Sequence, residues 1–112
     1  MCGLVALLSS GAPVDPELVI RMRDRLLHRG PDHGGLWIRD DGRLALGHRR
    51  LAIIDVSAEA NQPMQSDDGR FVVAYNGEIY NYLELRETLA RLGHRFRTGS
   101  DTEVLLLSYI QW

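Results

Sequence analysis

Apolar positions in this chain come in short runs divided by turn-forming residues, the rhythm of a domain built from short strands and amphipathic helices. Leu4 to Leu8 form a run rich enough in branched side chains to predict a buried strand, which Ser9, Ser10, Gly11 and Pro13 end. Asp15 and Pro16 then read as an N-cap and first helical residue. Leu18, Met22 and Leu26 follow on one stripe, and Gly30 and Pro31 stop a helix spanning roughly residues 16 to 28. Two hairpins follow. Asp40, Asp41 and Gly42 lie between Leu36 to Arg39 and Leu44 to Leu46, and Asp67, Asp68 and Gly69 precede Phe71 to Tyr75. Between them, Leu51 to Asp55 predicts another short strand and Ser57 to Pro63 a polar loop. The pattern implies antiparallel sheet.

A second helix is expected from Asn81, with Asn81 and Glu84 at capping-box spacing, Tyr82, Leu85, Leu89 and Leu92 on one face, and Gly93 as its end. A third begins at Ser100, again with a glutamate, Glu103, at capping-box distance. Val104, Leu105, Leu106, Leu107, Tyr109, Ile110 and Trp112 cover most of its circumference, and the sequence ends without a C-cap residue. The expectation is a helix packed on more than one side, in a natural protein that continues beyond it.

Composition narrows the classes. At 112 residues, 45% hydrophobic and 25% charged, the chain suits one soluble globular domain. No apolar run approaches the ~18 residues of a membrane-spanning helix, and no secretory leader pattern opens the chain, so a cytoplasmic location and no membrane partner are expected. The net charge is −2 and every basic residue is arginine. Arg21, Arg23 and Arg25 are interrupted by Asp24, which suits a solvated helix face and not a nucleic-acid surface. One cysteine and four scattered histidines give neither a disulfide framework nor zinc-ligand spacing, so no metal is expected.

That one cysteine stands at position 2. Removal of Met1 would join a thiol, titrating near ~8.5, to an α-amine titrating near ~8 in one residue, a nucleophile with its own base. A lone cysteine near the start of a chain is also commonly small buried filler. Tyr75 to Asn81 reads Y-N-G-E-I-Y-N, between a predicted strand and a helix. There the Asn76 amide and the Gly77 N–H could converge on one oxygen, as a tetrahedral oxyanion requires. An Asn-Gly pair is equally a plain hairpin turn. Of the adjacent Arg49 and Arg50, strand alternation sends only one inward. Asp101 on its own is explained by the favourable interaction of an acid with a helix N-terminus.

Taken in order, M-C-G at the start, H-R-G-P-D at 28 to 32, H-R-R-L-A-I-I-D at 48 to 55, Q-P-M at 62 to 64, Y-N-G-E-I-Y-N at 75 to 81 and T-G-S-D-T-E at 98 to 103 form a specific combination. The chain resembles, over its whole length, the N-terminal glutaminase domain of glutamine-hydrolysing asparagine synthetases. These are class II glutamine amidotransferases with the N-terminal nucleophile (Ntn) hydrolase fold. The resemblance implies an α+β fold, an αββα sandwich of antiparallel sheets, here the N-terminal part of a longer domain. It implies Cys2 as nucleophile with its α-amine as base through a water, Asn76 and Gly77 as oxyanion hole, and Arg50 as clamp for the glutamine α-carboxylate. It further implies Leu51, Ala52, Ile53 and Ile54 as the wall beside the substrate, and Glu78 with Asp101 as the site for the α-ammonium. Arg29 and Asp32 would hydrogen-bond loops around the cleft, and His28 would have no catalytic role. The implied reaction is hydrolysis of L-glutamine to glutamate and ammonia. The ammonia would pass to a C-terminal synthetase domain of the same chain, with its ATP and Mg, for amidation of aspartate; a homodimer is a candidate assembly. An amidotransferase with a sugar or secondary-metabolite acceptor, and a non-catalytic module of the same architecture, are the alternatives.

Overall fold

The computed structural model describes every residue, Met1–Trp112. Strand β1 (Gly3–Leu8) is followed by helix α1 (Pro16–Asp24), then by the hairpin of β2 (His33–Ile38) and β3 (Leu44–Arg50). A short ribbon of β4 (Met64–Gln65) and β5 (Val72–Val73) comes next, then helices α2 (Tyr82–Arg91) and α3 (Asp101–Gln111). The first three strands make one antiparallel sheet in the order β1-β3-β2, and β4 and β5 pair antiparallel separately. The class is therefore α+β with antiparallel sheets and three helices, as expected, and both Asp-Asp-Gly turns close hairpins. Gly42 and Gly69 adopt φ of 71° and 70°, the left-handed region that those turns require.

Register assigns each strand residue to a face. Gly3 pairs with Arg49 and His33 with Arg50, so one face carries Val5, Leu7, Leu36, Ile38 and Ala45. These pack with Val14 and with Val19 of α1 as the core. Burying Val19 completely contributes about 2 kcal/mol. The opposite face carries Trp37, Leu44, Leu46, His48 and Arg50, and α3 and β5 lie across part of it.

Four expectations need correction. Helix α1 ends at Asp24, because Leu26, Leu27 and Arg29 donate to carbonyls three residues back and tighten the chain into turns. Its buried residue is Val19; Leu18 and Met22 are each 38% exposed, since the face set against Gly47 is that of Val19 and Arg23. Strand β1 lies at the sheet edge and is covered on one face only, leaving Leu4 and Leu8 exposed. Leu51 to Asp55 is a loop, its backbone bonded to side chains and not to a strand: Ala52 N–H donates to Asp32 Oδ2 at 2.8 Å.

The helix caps also differ from expectation. Asn81 makes no side-chain cap. At α3 the Ser100 hydroxyl accepts from Thr102 N–H, but Glu103 turns away from Ser100 and, buried, accepts from Arg97 N–H, Thr98 N–H and the Thr98 hydroxyl at 2.6 to 2.9 Å. The α2 terminus is as expected: Gly93 takes φ 98° and His94 N–H returns to the Leu89 carbonyl. Helix α3 buries Asp101 to Val104 and Leu106, while Tyr109 and Trp112 at its far end are exposed.

Candidate active site

Four separate stretches meet in one small cleft of about 100 Å³, lined by Cys2, Arg50, Leu51, Ile53, Ile54, Asn76, Gly77, Glu78 and Asp101 among others. A larger cavity of about 890 Å³ lies between the sheet and α3. It is mainly apolar, with Trp37, Leu46, Val73, Leu106 and Tyr109 in its walls, and holds none of the candidate chemical groups. The chemistry resides in the smaller one.

The register of β1 on β3 accounts for the first pairing. Pairing of β1 with β3 runs up to Gly3 opposite Arg49, and the residues next to that pair, Cys2 and Arg50, both line the cleft. Alternation then separates the two arginines as the sequence requires. Arg50 enters the cleft, while Arg49 on the other face donates to the Gly30 and Pro31 carbonyls and pairs with Asp24. The half-buried Cys2 exchanges hydrogen bonds with Leu51, whose N–H reaches the sulfur at 3.3 Å while the thiol faces the Leu51 carbonyl at 3.7 Å. Arg29 Nε donates to the Cys2 carbonyl at 2.9 Å. Arg29 and Asp32 thus hold the loops around the cleft, as read from the sequence.

The guanidinium of Arg50 is nearly buried and already engaged. Nη1 donates to the Ser57 carbonyl and to Asn61 Oδ1, each at 2.8 Å, and Nη2 donates to the Asp55 carbonyl. A two-pronged grip on a carboxylate therefore requires exchange with these loop partners. Asp55 ties this loop to the next segment through its carboxylate, which accepts from Ser57 N–H at 2.8 Å and Gly99 N–H at 2.6 Å. Hydrogen bonds from Ser57 and Gly99, with the nearby Arg50 charge, hold that carboxyl below the usual carboxylate range.

On the opposite wall, Tyr75 backbone N–H donates to Gln62 Oε1 and its carbonyl meets His48 Nε2 at 3.1 Å. Asp101 Oδ2 accepts from Ile79 N–H at 3.0 Å, fixing the far end of the Asn76–Gly77 turn. The Tyr75 ring lies so close over Gly77 that a Cβ there would collide with the phenol oxygen and ring. Burial, then the Asp101 and Glu78 charges, raise the Tyr75 pKa, so the phenol keeps its proton.

All the predicted site residues but one line the cleft. Ala52 lies outside it, its N–H turned to Asp32. Gln62, Asp55 and His48 are the supporting residues that the sequence reading did not single out.

A model of the glutamine amidotransferase domain matches residues 1–112, the full chain. The chain belongs to the glutamine amidotransferase family. This amidotransferase domain is 42% identical over 113 residues to asparagine synthetase [glutamine-hydrolyzing] 1 of Bacillus subtilis, covering 97% of this chain and 17% of that protein. It is 45% identical over 114 residues to asparagine synthetase [glutamine-hydrolyzing] 1 of Arabidopsis thaliana, covering 100% and 19%. With the putative asparagine synthetase [glutamine-hydrolyzing] 2 of Methanocaldococcus jannaschii it shares 38% over 125 residues, covering 97% and 24%. The chain thus spans about a fifth of the length of these curated relatives. No helix of the amidotransferase domain is long and apolar enough to cross a membrane.

Proposed function

We propose that the cleft hydrolyses L-glutamine to glutamate and ammonia, as the glutaminase half of an asparagine synthetase whose synthetase domain uses the ammonia. The observation that carries the reading is the convergence of Cys2, Arg50, Asn76, Gly77, Glu78 and Asp101, from distant parts of the sequence, on one cleft. The relatives' names favour aspartate over a sugar as acceptor, and a complete set of groups around Cys2 speaks against a non-catalytic module.

In this reading Met1 is removed and the Cys2 α-amine takes the thiol proton through a water. The sulfur attacks the side-chain carboxamide carbon, and the C=O electron pair moves onto oxygen, held by the Asn76 amide and Gly77 N–H. Collapse breaks the C–N bond, and ammonia leaves with the proton returned by the α-ammonium. Water then adds to the γ-glutamyl thioester, the C–S bond breaks, and glutamate departs. One group near the working pH acts first as base and then as acid. Arg50 holds the substrate α-carboxylate, and Glu78 and Asp101 the α-ammonium.

No group of His, Cys, Asp or Glu side chains suited to a metal ion occurs in the fold, and the sequence has no glycine-rich phosphate loop. By the family resemblance, ATP and Mg²⁺ are proposed for the synthetase domain of the full-length protein. The location proposed is the cytoplasm, and a homodimer remains the proposed assembly.

Mass spectrometry of the active full-length protein tests the reading. Met1 should be missing, and acid quenching during turnover should trap a γ-glutamyl group on Cys2. Full activity with Met1 in place would overturn the amine as base, and turnover without acylation of Cys2 would overturn the nucleophile. Arg50→Lys gives a second expectation. An ammonium cannot reproduce a planar fork that binds the Ser57, Asp55 and Asn61 oxygens and exchanges them for a two-pronged grip on a ligand carboxylate. The KM for glutamine should rise by about 10-fold or more, equivalent to ~1.4 kcal/mol, with a smaller change in kcat; an unchanged KM sinks the clamp assignment.

A further inference from the structure

Behind the cleft, the face of β3 that carries Arg50 also carries His48, which is fully buried. A buried polar ring is retained only against a cost unless its nitrogens are satisfied. Here only one is: Nε2 meets the Tyr75 carbonyl at 3.1 Å, and Nδ1 has no partner. A carbonyl can only accept, so Nε2 carries the proton and the bare nitrogen is Nδ1. Burial lowers the His48 pKa, which keeps the ring in this neutral form.

The recipient of that bond matters. The Tyr75 carbonyl and the Asn76 N–H belong to one rigid peptide plane, so holding the oxygen sets the direction in which Asn76 and Gly77 leave it. Gln62 grips the same residue from the other side through its N–H and is itself buried, its own amide donating to Thr102 Oγ1 at 3.1 Å. Asp101 holds Ile79 N–H beyond the turn. The turn is fixed at three points, each by a buried side chain that does not belong to it.

We propose that His48 is a positioning residue of the oxyanion hole, its Nε2–H orienting the Tyr75–Asn76 peptide so that the Asn76 amide and Gly77 N–H converge on the substrate oxygen. This rests on the glutaminase reading of the cleft. Loss of one oxyanion-hole donor costs a factor of about 10² to 10³ in turnover, and misdirecting the turn should approach the lower figure.

The test uses full-length protein with His48→Gln, His48→Asn and His48→Phe, with Cys2→Ala measured in parallel. A glutamine amide can place its N–H near the position of imidazole Nε2, whereas an asparagine amide falls near Nδ1, which has no partner to serve. Expected is a kcat lowered about 100-fold in His48→Asn and His48→Phe, with KM for glutamine changed less than about 3-fold, and recovery in His48→Gln to within about 10-fold of the natural enzyme. Alkylation of Cys2 by iodoacetamide, which needs no oxyanion hole, should proceed at the normal rate in all three. Equal kcat in His48→Gln and His48→Asn, or a loss appearing in KM alone, overturns the proposal. If His48→Phe does not fold, the Gln and Asn pair still decides. Glutaminase activity surviving in Cys2→Ala would instead refute the glutaminase reading, so the two failures are separable.

Discussion

Cys2→Ala in the full-length protein should abolish glutamine hydrolysis, lowering kcat by a factor on the order of 10⁴ or more, the usual scale for removing a nucleophile from a site whose parts act as a unit. Nothing else in the cleft can take its place, because Cys2 is the chain's only cysteine. The fold should survive. The sulfur's hydrogen bonds are both with Leu51, and losing them costs about 1 kcal/mol, while β1 is held by its pairing along β3. Two observations separate loss of chemistry from loss of structure. Glutamine should still bind with near-normal affinity through Arg50, Glu78 and Asp101, and ammonium salts should still support the proposed amidation of aspartate. A variant that hydrolyses glutamine at even a hundredth of the normal rate refutes the assignment.

Gly35→Ala should destabilise the domain by about 3 kcal/mol, at the upper end for overpacking a tight site. Gly35 sits in the middle of β2, opposite His48 in register. A methyl group there would collide with the Gln62 carbonyl oxygen and stand 2.8 Å from its carbon and 3.0 Å from Pro63 Cδ. Backbone, unlike a flexible side-chain tip, cannot give way cheaply. The thermal transition of this domain in the full-length protein should fall by about 10 °C. The damage should also travel, because Gln62 holds Tyr75 N–H: glutaminase turnover should drop below what the folded fraction explains. An unaltered midpoint would show that the loop at Gln62 is not packed as described.

These cases mark what could be read from the sequence and what could not. Residues whose role depends on local pattern were legible: the Asp-Asp-Gly hairpins, the opposite directions of Arg49 and Arg50, and the caps at Asp15 and Gly93, while the choice of Arg50 as the inward one came from the family resemblance. Leu51 to Asp55 has the composition of a strand, but its backbone bonds to the Cys2, Asp32 and Arg50 side chains, a supply that no strand pattern records. The stripe of Leu18 and Met22 misled because a helix presents the face that its neighbour can receive, and Gly47, lacking a side chain, receives Val19 and Arg23. Glu103 has capping-box spacing, yet stronger partners at Arg97 and Thr98 draw it elsewhere. His48, Gln62 and Asp55 act on backbone groups far along the chain, and such pairings leave no trace in spacing. The motif combination had supplied the site's members, but not the side chains that aim them.

The strand order β1-β3-β2 also sets a sequence of events in folding. The β2–β3 hairpin and the β4–β5 ribbon close over short loops and can form within microseconds. Strand β1 must wait for its only partner, β3, with α1 and β2 lying between them along the chain. Cys2, the proposed nucleophile, therefore joins the cleft only when β1 docks on β3, a contact between residues 49 apart in sequence. A half-folded molecule can own both hairpins and still lack Cys2 in the cleft, so the proposed site is complete only when the sheet is.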